Sequence, residues 1–185
     1  MSDVTRLLDA AAAGDRQAAA DLLPLVYEEL KKLAAARLAR EPAGHTLSAT
    51  ALVHEAYLRL VVPDRDARWD GRGHFFAAAA EAMRRLLIDQ ARKKAAARHG
   101  GGLARRDVDH FAIAAPEPDD DLLAMDEALA RFEIIDPAKA ALVKLRYFAG
   151  MTIPQAADAL DIAPSTADRH WAYARAWLHA ELKKG

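Results

Sequence analysis

The sequence predicts an all-α fold of two small helical domains joined by an acidic flexible linker, and three observations predict it. Alanine recurs in runs through a chain that is 52% apolar but only 6% aromatic, and alanine is the strongest helix former. Few segments show the alternation or β-branched clustering of strands. Apolar residues instead recur at three- and four-residue spacing, punctuated by Gly, Pro and Asp where helices start and stop.

The elements follow in order. Val4, Leu7, Leu8 and Ala11 give Ser2 to Ala13 one apolar side, and Gly14 closes that helix. Asp15 can cap a longer helix reaching about Arg40, which Pro24 is expected to kink or split. After the loop "EPAGH", a helix opens inside "HTLSATALVHEAYLRL", His45 to Leu60. The turn-rich "VPDRDARWDGRGH" carries Trp69, a large aromatic in a polar context. From Phe75 a long helix is expected to run to about Arg98, ended by "HGGG". The "GGG", "PEP" and "DDD" of residues 100–121 read as a linker between blocks 1–99 and 122–185. In the second block, Leu122 to Phe132 and Pro137 to Phe148 read as helices, and two more follow with a short turn between them.

Composition narrows the function. The chain has no cysteine, which removes disulfides, thiolate metal sites and cysteine nucleophiles and fits a reducing cytoplasm. Neither a basic-then-apolar leader nor a bilayer-length apolar run is present, so a location in or across a membrane is not expected. "HEAYL" starts like a zinc-protease helix, but Leu58 stands where the second histidine is needed. With no nucleophile-base pairing and no histidines at ligand spacing, the expectation is a non-enzyme without metal or cofactor. The net charge of −1 conceals segregation. Residues 84–106 hold eight Lys or Arg against Asp89 alone, and residues 107–127 hold eight carboxylates and no Lys or Arg. A polyanion-binding surface beside an acidic linker is expected.

Two segments carry the nucleic-acid signal. In "MTIPQAADALDIAPSTADRHWAYARAWLHAEL", Thr152 and Gln155 form a capping box, and Pro154 falls in the first turn. Asp161 can take a left-handed turn, Ile162 plugs the core, and Pro164 opens a helix with Ala167, Trp171, Ala174 and Leu178 on one face. This is a helix-turn-helix, with Ser165, Thr166, Asp168 and Arg169 at the end that meets base edges and Arg175 two turns on. The competing reading is a helical hairpin whose charges are merely solvated. The second segment, "FFAAAAEAMRRLLIDQARKK", sets Phe75 and Phe76, with Trp69 just before, beside Arg84, Arg85, Gln90, Arg92, Lys93 and Lys94. Aromatics next to cations hold unstacked bases and phosphates of single strands. A solvated basic face over an apolar core would look similar, with at least one of the phenylalanines structural.

Together, "ALVHEAYLRL", the aromatic-basic helix and the terminal helix-turn-helix, in this order and spacing, resemble the extracytoplasmic-function (ECF) sigma factors over nearly the whole chain. The resemblance implies a bacterial transcription initiation factor. Its first domain would dock on the clamp helices of the largest subunit of core RNA polymerase and open and read the minus-ten element of promoter DNA. Its second domain would read the minus-thirty-five element. A stand-alone helix-turn-helix regulator with a helical partner-binding domain is the alternative, and an anti-sigma factor is a further candidate partner.

One departure stands out. Helical spacing buries Ala49, Leu52, Val53, Ala56, Tyr57 and Leu60 and presents Ser48, Thr50, Ala51, His54, Glu55, Leu58 and Arg59. In that resemblance Ala51, His54, Glu55, Leu58 and Arg59 would meet polymerase, but the family's acidic cluster is replaced by "SATA", residues 48–51. A serine/threonine protein kinase acting on Thr50, or on Ser48, would restore the charge. The competing reading makes Ser48 a plain N-cap and Thr50 an indifferent surface residue.

Overall fold

The computed structural model describes residues 3–38, 48–61, 71–100 and 118–184, and every regular element among them is an α-helix. These are α1 (Asp3–Ala12), α2 (Arg16–Leu38), α3 (Ala49–Val61), α4 (Gly71–Gly100), α5 (Pro118–Ile135), α6 (Pro137–Tyr147), α7 (Ile153–Ala159) and α8 (Pro164–Leu182). None of them is long and apolar enough to cross a membrane.

In the first block, Gly14 turns the chain out of α1 at φ +95°. Asp15 then caps α2, its carboxylate accepting from the amides of Gln17 at 2.9 Å and Ala18 at 3.1 Å. A kink or a split is expected at Pro24, and α2 is not split there. Pro24 is exposed while Leu22, Val26 and Leu30 are buried. Proline removes one hydrogen-bond donor on the exposed side of the helix, and packing on the opposite side holds the helix together. Leu8 of α1 and Leu52, Val53 and Ala56 of α3 close that core at zero exposure.

In the second block, α5 begins at Pro118, inside the stretch read as linker, because proline suits a first helical turn. Asp136 caps α6, accepting from the Lys139 amide at 3.0 Å. The fully buried Phe132 of α5 packs its ring 4.8 Å from that of Trp177 on α8. The turn chemistry of the helix-turn-helix is as the residues predict. Thr152 and Gln155 form the reciprocal capping box, and Asp161 takes the left-handed conformation at φ 52°.

The long helix α4 joins the blocks. It begins at Gly71 rather than Phe75, because tertiary contacts recruit the extra turn. Arg72 pairs with Glu29 of α2 at 2.8 Å and Asp158 of α7 at 3.4 Å, and its guanidinium lies over the Phe76 ring. Gly73 meets α7 so closely that a Cβ there would lie 2.1 Å from the Ala159 carbonyl oxygen. Further along, Arg84 bonds Asp126 of α5 at 2.6 Å and Glu81 at 3.1 Å, while Lys144 of α6 approaches Glu81 at 3.3 Å. Buried apolar residues of both blocks form one continuous core beneath these ties.

Two outcomes follow from the packing. Phe132→Ala should destabilise the chain by about 3–5 kcal/mol through lost transfer energy and a cavity, read by urea denaturation. Burial would raise the Glu81 carboxyl, but Lys144 and Arg84, with hydrogen bonds from Arg85 and Lys144, outweigh it and hold Glu81 below its ordinary value of 4.5. A depressed carboxyl adds stability above its unfolded value and loses it as pH falls through the folded one. The stability gap between wild type and Glu81→Gln should therefore be constant from pH 7 down to about 4.5 and then close; a gap unchanged at pH 3 would contradict the role of Glu81.

Candidate functional site

Three exposed faces could meet other molecules. The first is on α3. Ser48 is its N-cap, the hydroxyl accepting from the Ala51 amide at 3.1 Å and the carbonyl from the Leu52 amide at 3.0 Å. Thr50, Ala51, His54, Glu55 and Arg59 are all exposed, opposite the buried Leu52, Val53 and Ala56. Arg59 reaches Asp89 of α4 at 4.0 Å, which ties this face to the basic helix. Leu58 belongs to α3, but its side chain, like those of Tyr57 and Leu60, lies outside the described residues. The first turn of α3 contains no acidic residue. Four amide hydrogens point out of a helix start, and the macrodipole favours negative charge there; only one of those amides is met by Ser48.

The second face is on α4. At 100° per residue, Arg85, Asp89, Arg92 and Lys93 fall on one side, and all four are exposed. Gln90 and Lys94 lie further round the helix and are partly buried. The aromatic half of the expected constellation is different. Phe75 is 4% exposed and Phe76 is fully buried, their rings edge to face at 5.4 Å. Neither ring is available to a base in this arrangement, because both fill the core where α4 passes between the blocks. Arg84 is also withdrawn from the basic face, its side chain only 17% exposed and held between Glu81 and Asp126. Trp69 lies outside the described residues.

The third face is on α8. Ser165, Asp168, Arg169, Ala172, Arg175 and Ala176 form an exposed stripe starting at its N-terminal end. Thr166, half-buried, accepts from Arg169 at 3.3 Å and orients that guanidinium at the start of the helix. Opposite, Ala167, Ala174 and Leu178 are buried. Trp171 packs on the core under Arg146, whose guanidinium lies 4.8 Å from the ring centroid and donates to the Met151 carbonyl at 2.7 Å. That arrangement fixes α8 against the turn before α7. No group of three or more His, Cys, Asp or Glu that could hold a metal ion occurs among the described residues.

Sequence reasoning missed Asp126, Asp158, Gly73 and Lys144, the residues that fasten the second block to α4. The signal was the charge segregation itself. A block of +7 followed by eight carboxylates is self-complementary, so part of the acidic stretch serves the chain's own arginine.

No curated protein and no solved structure matches the chain. The ECF sigma factor family pattern does match it, over residues 1–184. Every position of the three faces lies inside that span, so the chain belongs to the ECF sigma factor family, whose members are RNA polymerase-binding transcription initiation factors.

Proposed function

We propose that this sigma factor docks on the clamp helices of the largest polymerase subunit through the exposed face of α3, that α4 opens and reads the minus-ten element, and that α8 reads the minus-thirty-five element. In this reading, phosphorylation of Thr50 supplies the negative charge that the docking helix lacks. Its place of action is the cytoplasm, where core polymerase and promoter meet.

One observation carries the switch. Thr50 is exposed in the first turn of a helix that has no acidic residue there, while the neighbouring Ser48 hydroxyl is already engaged as the cap. A phosphate on Thr50 would bring about −1.5 to −2 charge and strong acceptor oxygens to a helix N-terminus. One modification thereby stands in for two carboxylates. Phosphorylating Ser48 instead would disturb the cap, which makes Thr50 the better acceptor.

The test is transcription from a cognate promoter with purified core polymerase. Kinase-treated wild type should be active, unmodified protein and Thr50→Ala weakly active, and Thr50→Glu intermediate, because glutamate restores only one charge. Full activity of unmodified wild type, unchanged by Thr50→Ala, would overturn the switch. For the DNA faces, Lys93→Ala should weaken binding evenly across sequences and lower the salt slope by about 0.9. Arg169→Ala should instead cost about 1–3 kcal/mol and relax preference at one position of the minus-thirty-five element, measured by holoenzyme binding to promoter variants.

A further inference from the structure

We propose that the second block carries a binding site for a small aromatic carboxylate, in a groove where α5 and α6 meet the C-terminal half of α8, and that its occupant competes with promoter DNA for Arg175. The site stands on the geometry of this block alone. The competition rests on the reading of α8 as the element that meets the minus-thirty-five sequence.

The groove has a volume of about 770 Å³, within the ~300–1,000 Å³ typical of sites for small organic ligands. Met125 of α5 and Tyr147 of α6 line it opposite Trp171, Leu178 and Leu182 of α8. Leu178 is buried, and Met125, Tyr147 and Trp171 are half-buried against the core, so an apolar floor lies below the surface. Two aromatic side chains in the lining favour an aromatic guest, packed offset or edge to face, and the unbranched thioether of Met125 adapts to its outline.

The polarity of the groove is graded. From Trp171, the four-residue steps to Arg175, His179 and Lys183 each turn about 40° around α8, away from the side on which Leu178 is buried. These three cationic or ionisable side chains are exposed, and among the described residues none of them is held in an ion pair. No carboxylate of the described residues lines the groove. Glu181, beside them in sequence, is already engaged by Arg131 at 3.1 Å and Lys184 at 2.8 Å. An apolar floor under an unanswered cationic rim is complementary to a guest with an apolar body and one negative end. Arg175 is its anchor. The helix macrodipole opposes an anion only near the last turn, and Arg175 stands two turns before the end of α8 at Leu182. Its planar fork also meets a carboxylate through two parallel hydrogen bonds.

Ala172, Arg175 and Ala176 belong both to the groove and to the exposed stripe of α8. A guest seated there covers the second half of that stripe and takes the Arg175 guanidinium from DNA.

The test is an amide NMR titration of the free, full-length protein with naphthalene-2-carboxylate and with its neutral isostere, naphthalene-2-carboxamide. The carboxylate should give saturable shifts clustered at Met125, Tyr147 and residues 171–183, with a Kd of about 1 mM or tighter for a guest this small. The carboxamide should bind about tenfold more weakly, because it lacks the charge that Arg175 answers. Arg175→Gln should erase that preference, and Leu182→Glu should weaken the carboxylate more than the carboxamide by setting a like charge in the groove. Both positions are exposed, so the amide spectrum away from the groove should be unchanged and report a folded chain. With holoenzyme, the carboxylate at about ten times its Kd should raise the concentration for half-maximal promoter binding about tenfold by mass action. No saturation by about 10 mM, equal affinity for the two probes, or shifts centred elsewhere would overturn the site. Lining amides that ignore both probes and move only when core polymerase is added would give the groove to a protein partner and overturn it as well. Groove binding in the free chain that leaves holoenzyme binding to the promoter unchanged would keep the site and reject the competition for Arg175.

Discussion

Arg84 leaves α4 on the side facing the second block and ends between two carboxylates, Glu81 one turn back on its own helix and Asp126 on α5. Lys144 of α6 completes the group by approaching Glu81. A partly buried carboxylate and guanidinium lose hydration that only each other and their neighbours can replace, so removing either partner leaves an uncompensated charge. The position of α5 and α6 on α4 depends on this group, and with it the position of the helix-turn-helix that α5 and α6 support. The shared apolar core provides most of the adhesion, and the ion pairs set which faces meet.

Helix α4 therefore has two sides with different duties. One side, with Phe75, Phe76, Ala80 and Met83, is structural and buried. The other, with Arg85, Arg92 and Lys93, is exposed and cationic. Arg84 lies at the border, held there between Glu81 and Asp126. The same economy governs α3, where Leu52, Val53 and Ala56 hold the helix in the core and leave its opposite face to a partner. On both helices the function stands on the surface that folding leaves over.

Local chemistry was legible in the sequence. The capping box at Thr152 and Gln155, the left-handed Asp161 and the cap at Asp15 each depend on residues a few positions apart, and the chain forms them as their types predict. Leu52, Val53 and Ala56 of the α3 stripe are buried as spacing predicts, and Ala49 is partly so. What depends on distant residues was not legible. Pro24 stays helical because its neighbours are buried on the far side, and Gly71 to His74 joins α4 because Glu29, Asp158 and Ala159 meet it there. Phe75 and Phe76 stand beside cations in the sequence, where at least one was expected to be structural, and tertiary packing buries both. Asp126 read as part of a solvated acidic tract, because nothing in one sequence says which carboxylate faces which arginine.

Promoter recognition that exists only in company with polymerase is the central claim, and footprinting a cognate promoter tests it most directly. With core RNA polymerase and this chain together, protection should cover both promoter elements and the minus-ten region should become reactive as single strand. With the chain alone at the same concentration, protection should be absent at both elements. A full footprint by the chain without polymerase, or none in its presence, would contradict the account.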